Sequence, residues 1–155
     1  MDKIYVLKKE DEMQNDDDFV ADESRPLIPE GTYHVRCIHI EEGIYKGTLK
    51  MYLKFIIVYP EQYKGTELFM AMNLSDSKTK MRFKKVPRAS KYYEQWVIAN
   101  LDIHPSRDDR MSPLKFKEGY SEAVVRTVKP KFPDGTEKPE CFHYSVVDYL
   151  KGRTG

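Results

Sequence analysis

Between residues 48 and 59, "TLKMYLKFIIVY", the apolar Leu49, Met51, Leu53, Phe55 and Ile57 alternate with Lys50, Tyr52 and Lys54. A period of two predicts a β-strand with one apolar face and one cationic-aromatic face. Upstream, "TYHVRCIHIEE" (32–42) is rich in aromatic and β-branched residues and bounded by Gly31 and Gly43, which predicts a strand there too. Downstream, "TELFMAMNL" (66–74) sets Leu68, Met70, Met72 and Leu74 on one side and Phe69, Ala71 and Asn73 on the other. The period then lengthens. From Ala89 to Leu101 the spacing of Tyr92, Tyr93, Trp96, Val97 and Leu101 fits a helix, with Pro87 just ahead and turn chemistry at Ser75, Asp76 and Ser77. Two further strands are predicted in "YSEAVVRTVKPKF" (120–132) and "CFHYSVVDYL" (141–150), connected through the turn sequence "PDGT" (133–136).

The order strand, strand, strand, helix, strand, strand makes the expected fold mainly β, a five-stranded OB-like barrel with one helix between strands 3 and 4. Such a barrel binds oligonucleotides on its strand 2 and 3 face and in its 1-2 and 4-5 loops. A chain of 155 residues is long enough for one core. The expected organisation is an acidic, flexible N-terminal tail over 1–24, one OB-like domain over 25–150 and a short C-terminal tail over 151–155. Within the first tail, "KIYVL" offers a short edge strand.

Charge sharpens this division. The net charge of +1 arises from nine acids and three bases in residues 1–24 against sixteen acids and twenty-three bases in the remainder. A basic body of that kind favours a polyanion where its charges cluster. They cluster in "KTKMRFKKVPRASKYYEQW" (78–96), which holds seven lysines and arginines and four aromatic rings before any acid but Glu94. The acidic tail, including Asp16 to Asp18, is expected either to fold back as a weak competitor for the basic groove or to act as a solubilising tail.

The segments "IPEGTYHVRCIHIEEG", "LKMYLKFIIV", "EQYKGTELFMAMNL" and "FKEGYSEAVVRTVKPKFPDGTEKPECFHYSVVDY" resemble small proteins of phage and mobile-element recombination or replication modules. The likeness spans residues 27–149 and rests on a P-x-G-x-Y opening, a Y-K-G-x-x-L third strand and a closing V-V-D-Y strand. It implies an OB-like single-stranded DNA binder and carries no catalytic claim.

A single-strand binder needs cations along a groove and flat side chains on which bases stack. Lys50, Tyr52 and Lys54 supply both on one strand face, Phe69 joins them if the register permits, and the first loop adds Tyr45 and Lys46. The fourth loop adds Lys131 and Phe132, flanked by Lys129 and Lys138. The basic run contributes Lys80, Arg82, Phe83, Lys84, Lys85 and Arg88, whereas Tyr92 and Trp96, four apart on the helix, are expected in the core. A solvated lysine-rich sheet face and a basic linker are the plain alternatives.

Cys37-Ile38-His39 and Cys141-Phe142-His143 would each put two ligands on one strand face, but the spacing is unlike that of zinc sites, so no metal and no cofactor is expected. No phosphate-binding glycine loop, nucleophile elbow or H-E-x-x-H helix is present, and Asp108 and Asp109 beside Arg107 and Arg110 read as a salt-bridged loop. The expected function is therefore non-enzymatic, weakly sequence-specific binding of single-stranded DNA in phage or mobile-element replication or recombination. The alternative is a protein-interaction module, a phage accessory or inhibitor protein gripping an acidic protein partner. Replication or recombination proteins and further copies of the chain are the other expected partners. No membrane association is expected, since the longest apolar run, Phe55 to Tyr59, is too short for a bilayer. Two cysteines without a disulfide framework and a start without a signal-peptide pattern lead to an expected cytoplasmic location.

Overall fold

A computed structural model describes residues 21, 25–106 and 110–154. The Asp16 to Asp18 cluster, the 3–7 segment and the Arg107 to Asp109 stretch lie outside the described residues. The strands are β1 (Gly31–Tyr45), β2 (Thr48–Tyr59), β3 (Glu67–Asn73), β4 (Ser121–Val128) and β5 (Tyr144–Arg153), and the helix α1 (Lys91–Ala99) lies between β3 and β4. All neighbours pair antiparallel in one sheet of order β3-β2-β1-β4-β5. The expected element order is present.

The sheet is not closed into a barrel. Its two edge strands, β3 and β5, come into contact without pairing, and α1 packs against both. A physical reason lies in Gln95 of α1, which is almost fully buried. Its Oε1 accepts from the Leu150 N–H at 2.5 Å and its Nε2 donates to the Leu150 carbonyl at 3.4 Å. One amide side chain thus takes both groups that Leu150 would offer a neighbouring strand on that side. Farther along the same edge, the Ser145 N–H donates to the Pro26 carbonyl at 2.8 Å.

Period-two alternation builds the core from the inner face of the sheet: Val35 and Cys37, Met51 to Ile57 in steps of two, Leu68, Met70 and Met72, then Ala123, Val125, Val147 and Leu150. Tyr92, Trp96 and Phe116 cover it. The two helix rings are buried as the four-residue spacing predicted, and their polar ends find partners in a passing loop. Tyr92 Oη donates to the Met111 carbonyl at 2.6 Å and Trp96 Nε1 to the Ser112 carbonyl at 2.9 Å. The helix starts at a Ser90 cap whose Oγ accepts from the Tyr93 N–H.

Three boundaries differ from expectation. β5 runs to Arg153, so residues 151–153 belong to the sheet and not to a tail. Arg153 donates from Nε to the Ala99 carbonyl at 2.9 Å and from Nη2 to the Lys115 carbonyl, fastening the end of α1 to the turn at Pro113–Lys117. β4 ends at Val128, because Pro130 and Pro133 lack the N–H a ladder needs. Cys141 and Phe142 lie in a short 3-10 turn, Glu140–Phe142, that follows Pro139.

Replacing Gln95 with Met keeps the volume and removes both hydrogen bonds to Leu150, leaving two backbone groups buried without partners. Urea unfolding should show a loss of about 2–4 kcal/mol. A loss below about 0.5 kcal/mol would mean that Leu150 finds its partners elsewhere.

Candidate nucleic-acid interface

The outer face of β2 carries Lys50, Tyr52 and Lys54, spaced about 6.6 Å apart by the strand rise. The register decides their company. Lys54 sits between His39 of β1 and Phe69 of β3, Tyr52 between Glu41 and Ala71, and Lys50 between Gly43 and Asn73. The Lys54 ammonium lies 5.2 Å from the Phe69 ring centre, and Phe69 is 45% exposed. Tyr52 has Ala71 beside it on β3 and Gly43 diagonally across on β1. A Cβ at Gly43 would stand 3.2 Å from its Cε2, so the ring occupies the space that this glycine leaves open.

Tyr45 joins this face through a change of phase in β1. Cys37 pairs with Phe55 and His39 with Lys54, which leaves Ile38 as an extra residue in a bulge. Before it, Tyr33, Val35 and Cys37 point inward. After it the even positions do so, with Ile40 opposite Leu53 and Glu42 opposite Met51, while His39, Glu41, Gly43 and Tyr45 turn outward. The two-residue turn Lys46-Gly47, both at positive φ, closes the hairpin. The Tyr45 ring, 55% exposed, thereby lies 5.3 Å from the Lys46 ammonium and 5.5 Å from that of Lys50. Tyr45, Lys46, Lys50, Tyr52, Lys54 and Phe69 form one surface. The same phase change adds two groups the sequence reading did not place there, Glu41 beside Tyr52 and His39, whose Nε2 is 3.7 Å from the Glu41 carboxylate.

The basic run is a hydrogen-bonded turn, not a loose linker. The Phe83 N–H donates to the Leu74 carbonyl at 2.9 Å, the backbones of Ser75 and Arg82 form an isolated antiparallel β-bridge, and Asp76 accepts from the N–H groups of Lys78 and Thr79. Those bonds hold the Asp76 carboxyl below its ordinary range. Lys80, Lys84, Lys85 and Arg88 are exposed. Arg82 is engaged by Glu42 through two 3.0 Å bonds. Phe83 is half-buried in a cleft lined by Met51, Leu74, Val86 and Tyr92, so it is a poorer stacking surface than its position in the basic run implied.

The loop between β4 and β5 makes a separate cluster. Lys131 is exposed and its backbone forms an isolated antiparallel β-bridge with that of Glu137, and the Lys138 ammonium lies 5.7 Å from the ring of Phe132 and 5.6 Å from that of Phe142. Phe142 escaped notice because 141–143 read as strand; Pro139 two residues earlier is the signal that marks the turn. β4 flanks the start of β1, so this loop and the Tyr45-Lys46 tip lie at opposite ends of β1.

Neither Cys-x-His pair makes the expected shared face. The bulge at Ile38 turns Cys37 inward and His39 outward, and Cys141 lies in the 3-10 turn. His143 Nε2 instead sits 3.2 Å from both the Lys138 carbonyl and Glu137 Oε1. Among the described residues, no three His, Cys, Asp or Glu side chains are grouped so as to hold a metal ion, and no helix is long and apolar enough to cross a membrane. No known protein family and no curated protein matches the chain.

Burial pushes the Cys37 thiol up to about 11, so it stays protonated at neutral pH, whereas Cys141 is exposed. Ellman's reagent at pH 8 should titrate one thiol promptly in the folded protein and a second only in guanidinium. Prompt reaction of both would show that the bulge leaves Cys37 open.

Proposed function

We propose that this chain is a non-enzymatic, weakly sequence-specific single-stranded DNA-binding protein of OB-like architecture. The observation that carries the reading is the β2-β3 face and its hairpin tip, where three exposed or half-exposed rings alternate with Lys46, Lys50 and Lys54. Ammonium groups there replace the counterions of a phosphate backbone, and the rings give successive bases a surface to stack on. Sequence preference is weak because stacking accepts any base face.

The architecture supports the same reading. The strand order and the helix between β3 and β4 suit an OB-like sheet in which the Leu150 edge of β5 is capped by Gln95 of α1 and not laddered to β3. The β4-β5 loop, with Lys131, Phe132, Lys138 and Phe142, then forms the far rim of the groove, and a strand lying across β2 and β3 runs between it and the tip. The resemblance of residues 27–149 to phage and mobile-element proteins is what supports placing the binding in replication or recombination of such an element.

Fluorescence anisotropy with labelled oligo(dT) and duplex DNA at two salt concentrations tests the reading. Contact with about five phosphates gives log affinity against log salt a slope near −3.5, from roughly −0.7 per phosphate on a single strand. Tyr52→Ala or Phe69→Ala should weaken binding by about 1–3 kcal/mol each while leaving that slope in place. Reversing Lys50 and Lys54 to Glu should abolish binding. Salt-independent binding, or a protein partner lost on charge reversal while DNA never binds, would replace this reading with that of a protein-interaction module.

A further inference from the structure

Six cations lie between Lys78 and Arg88, and among the described residues Arg82 alone of these has a carboxylate within ion-pair distance. Its Nη1 donates to Glu42 Oε2 and its Nη2 to Glu42 Oε1, each at 3.0 Å. This two-pronged fit is the one that a guanidinium makes with carboxylate and phosphate alike. Glu42 reaches Arg82 across forty residues of sequence because the Ile38 bulge places it on the inner side of β1, opposite Met51 and at the rim of the core. Both side chains stay open to solvent, 62% exposed for Arg82 and 42% for Glu42. A pair so exposed contributes little to stability, since water solvates its members almost as well apart as together. An anion of similar shape exchanges with it at little cost.

We propose that Glu42 is a built-in competitor for phosphate: it occupies the Arg82 guanidinium in the free protein and yields it to a phosphodiester of the bound strand. The inference rests on the single-strand reading for its natural ligand, but the exchange itself needs only a phosphate oxyanion. The Glu42 carboxylate returns to water as the phosphate arrives, so one charged contact replaces another. The basic segment is thereby kept from binding anions at full strength, and a bound strand is released more readily than the count of lysines and arginines implies.

The test uses the full chain with Glu42→Gln, Arg82→Gln and the double substitution, each titrated with labelled oligo(dT) and, separately, with inorganic tripolyphosphate. Glu42→Gln should bind oligo(dT) about two- to fivefold tighter, the factor by which an exposed ion pair competes. Arg82→Gln should bind more weakly, with a salt slope shallower by about 0.7. The double variant should match Arg82→Gln, because a gain that acted only through overall charge would persist without the arginine. A Glu42→Gln protein that binds both ligands no more tightly than the parent, or whose gain survives in the double variant, overturns the proposal. A pure tether for the basic turn predicts the reverse result, weaker binding together with a lower Tm. If the parent ignores oligo(dT) while Glu42→Gln still tightens on tripolyphosphate, the competitor stands and the single-strand reading falls.

Discussion

Leu150 turns a buried N–H and a buried carbonyl toward the open side of β5, where water does not reach. Leaving either without a partner costs as much as several buried methylene groups contribute, so the fold has to bring one there. It brings a helix. Gln95 fixes the rotation of α1, that rotation aims Tyr92 and Trp96 at the core, and their polar ends then fix the path of the loop through Met111 and Ser112. Arg153, on the same strand as Leu150, fastens the other end of α1 at the Ala99 carbonyl. The helix is held at the seam by polar bonds to β5 as much as by its apolar face, and β3 and β5 meet there without a ladder.

Much of this was legible from periodicity. β2 has the bounds and the inward and outward sets that alternation predicts, and β3 sets Leu68, Met70 and Met72 inward as expected. The pairing of Lys54 with Phe69 was not legible, because the connecting segment through Tyr63 and Gly65, not the strands themselves, sets the register. The partnership of Arg82 with Glu42 was hidden for a related reason, being the product of a bulge in one strand and a tight turn after another. The closed barrel was an inference from element order alone, and order does not reveal that a side-chain amide takes the place of a strand. Phe142 was not legible because the apolar-polar alternation through 142–146 reads across a turn as easily as along a strand.

The candidate surface combines its chemistry before any ligand arrives. In the free protein each ring on the tip and on β3 already has an ammonium within cation–π distance, worth about 0.5–1 kcal/mol at an exposed site. Such contacts reduce the rotamer freedom of long lysine chains, so part of the entropic cost of ordering them for a ligand is met in advance. The two small residues beside Tyr52 act in the same direction by leaving its ring room to lie against the sheet. Glu41 works against a polyanion at that point, which makes the middle of the face less basic than its ends.

Ile38 gives β1 two opposite rules for what each position can hold. From Tyr33 to Cys37 the odd-numbered residues are shut in the core; beyond the bulge the even-numbered positions take the inner side, where Ile40 packs against the core while Glu42 and Ile44 stay open to solvent. Conservation along this strand among any relatives would therefore show a break in parity at one residue. A one-residue deletion there would act like a frameshift within the strand, carrying Glu42 to the outer face and Tyr45 away from Lys50, although every other letter of the hairpin was unchanged.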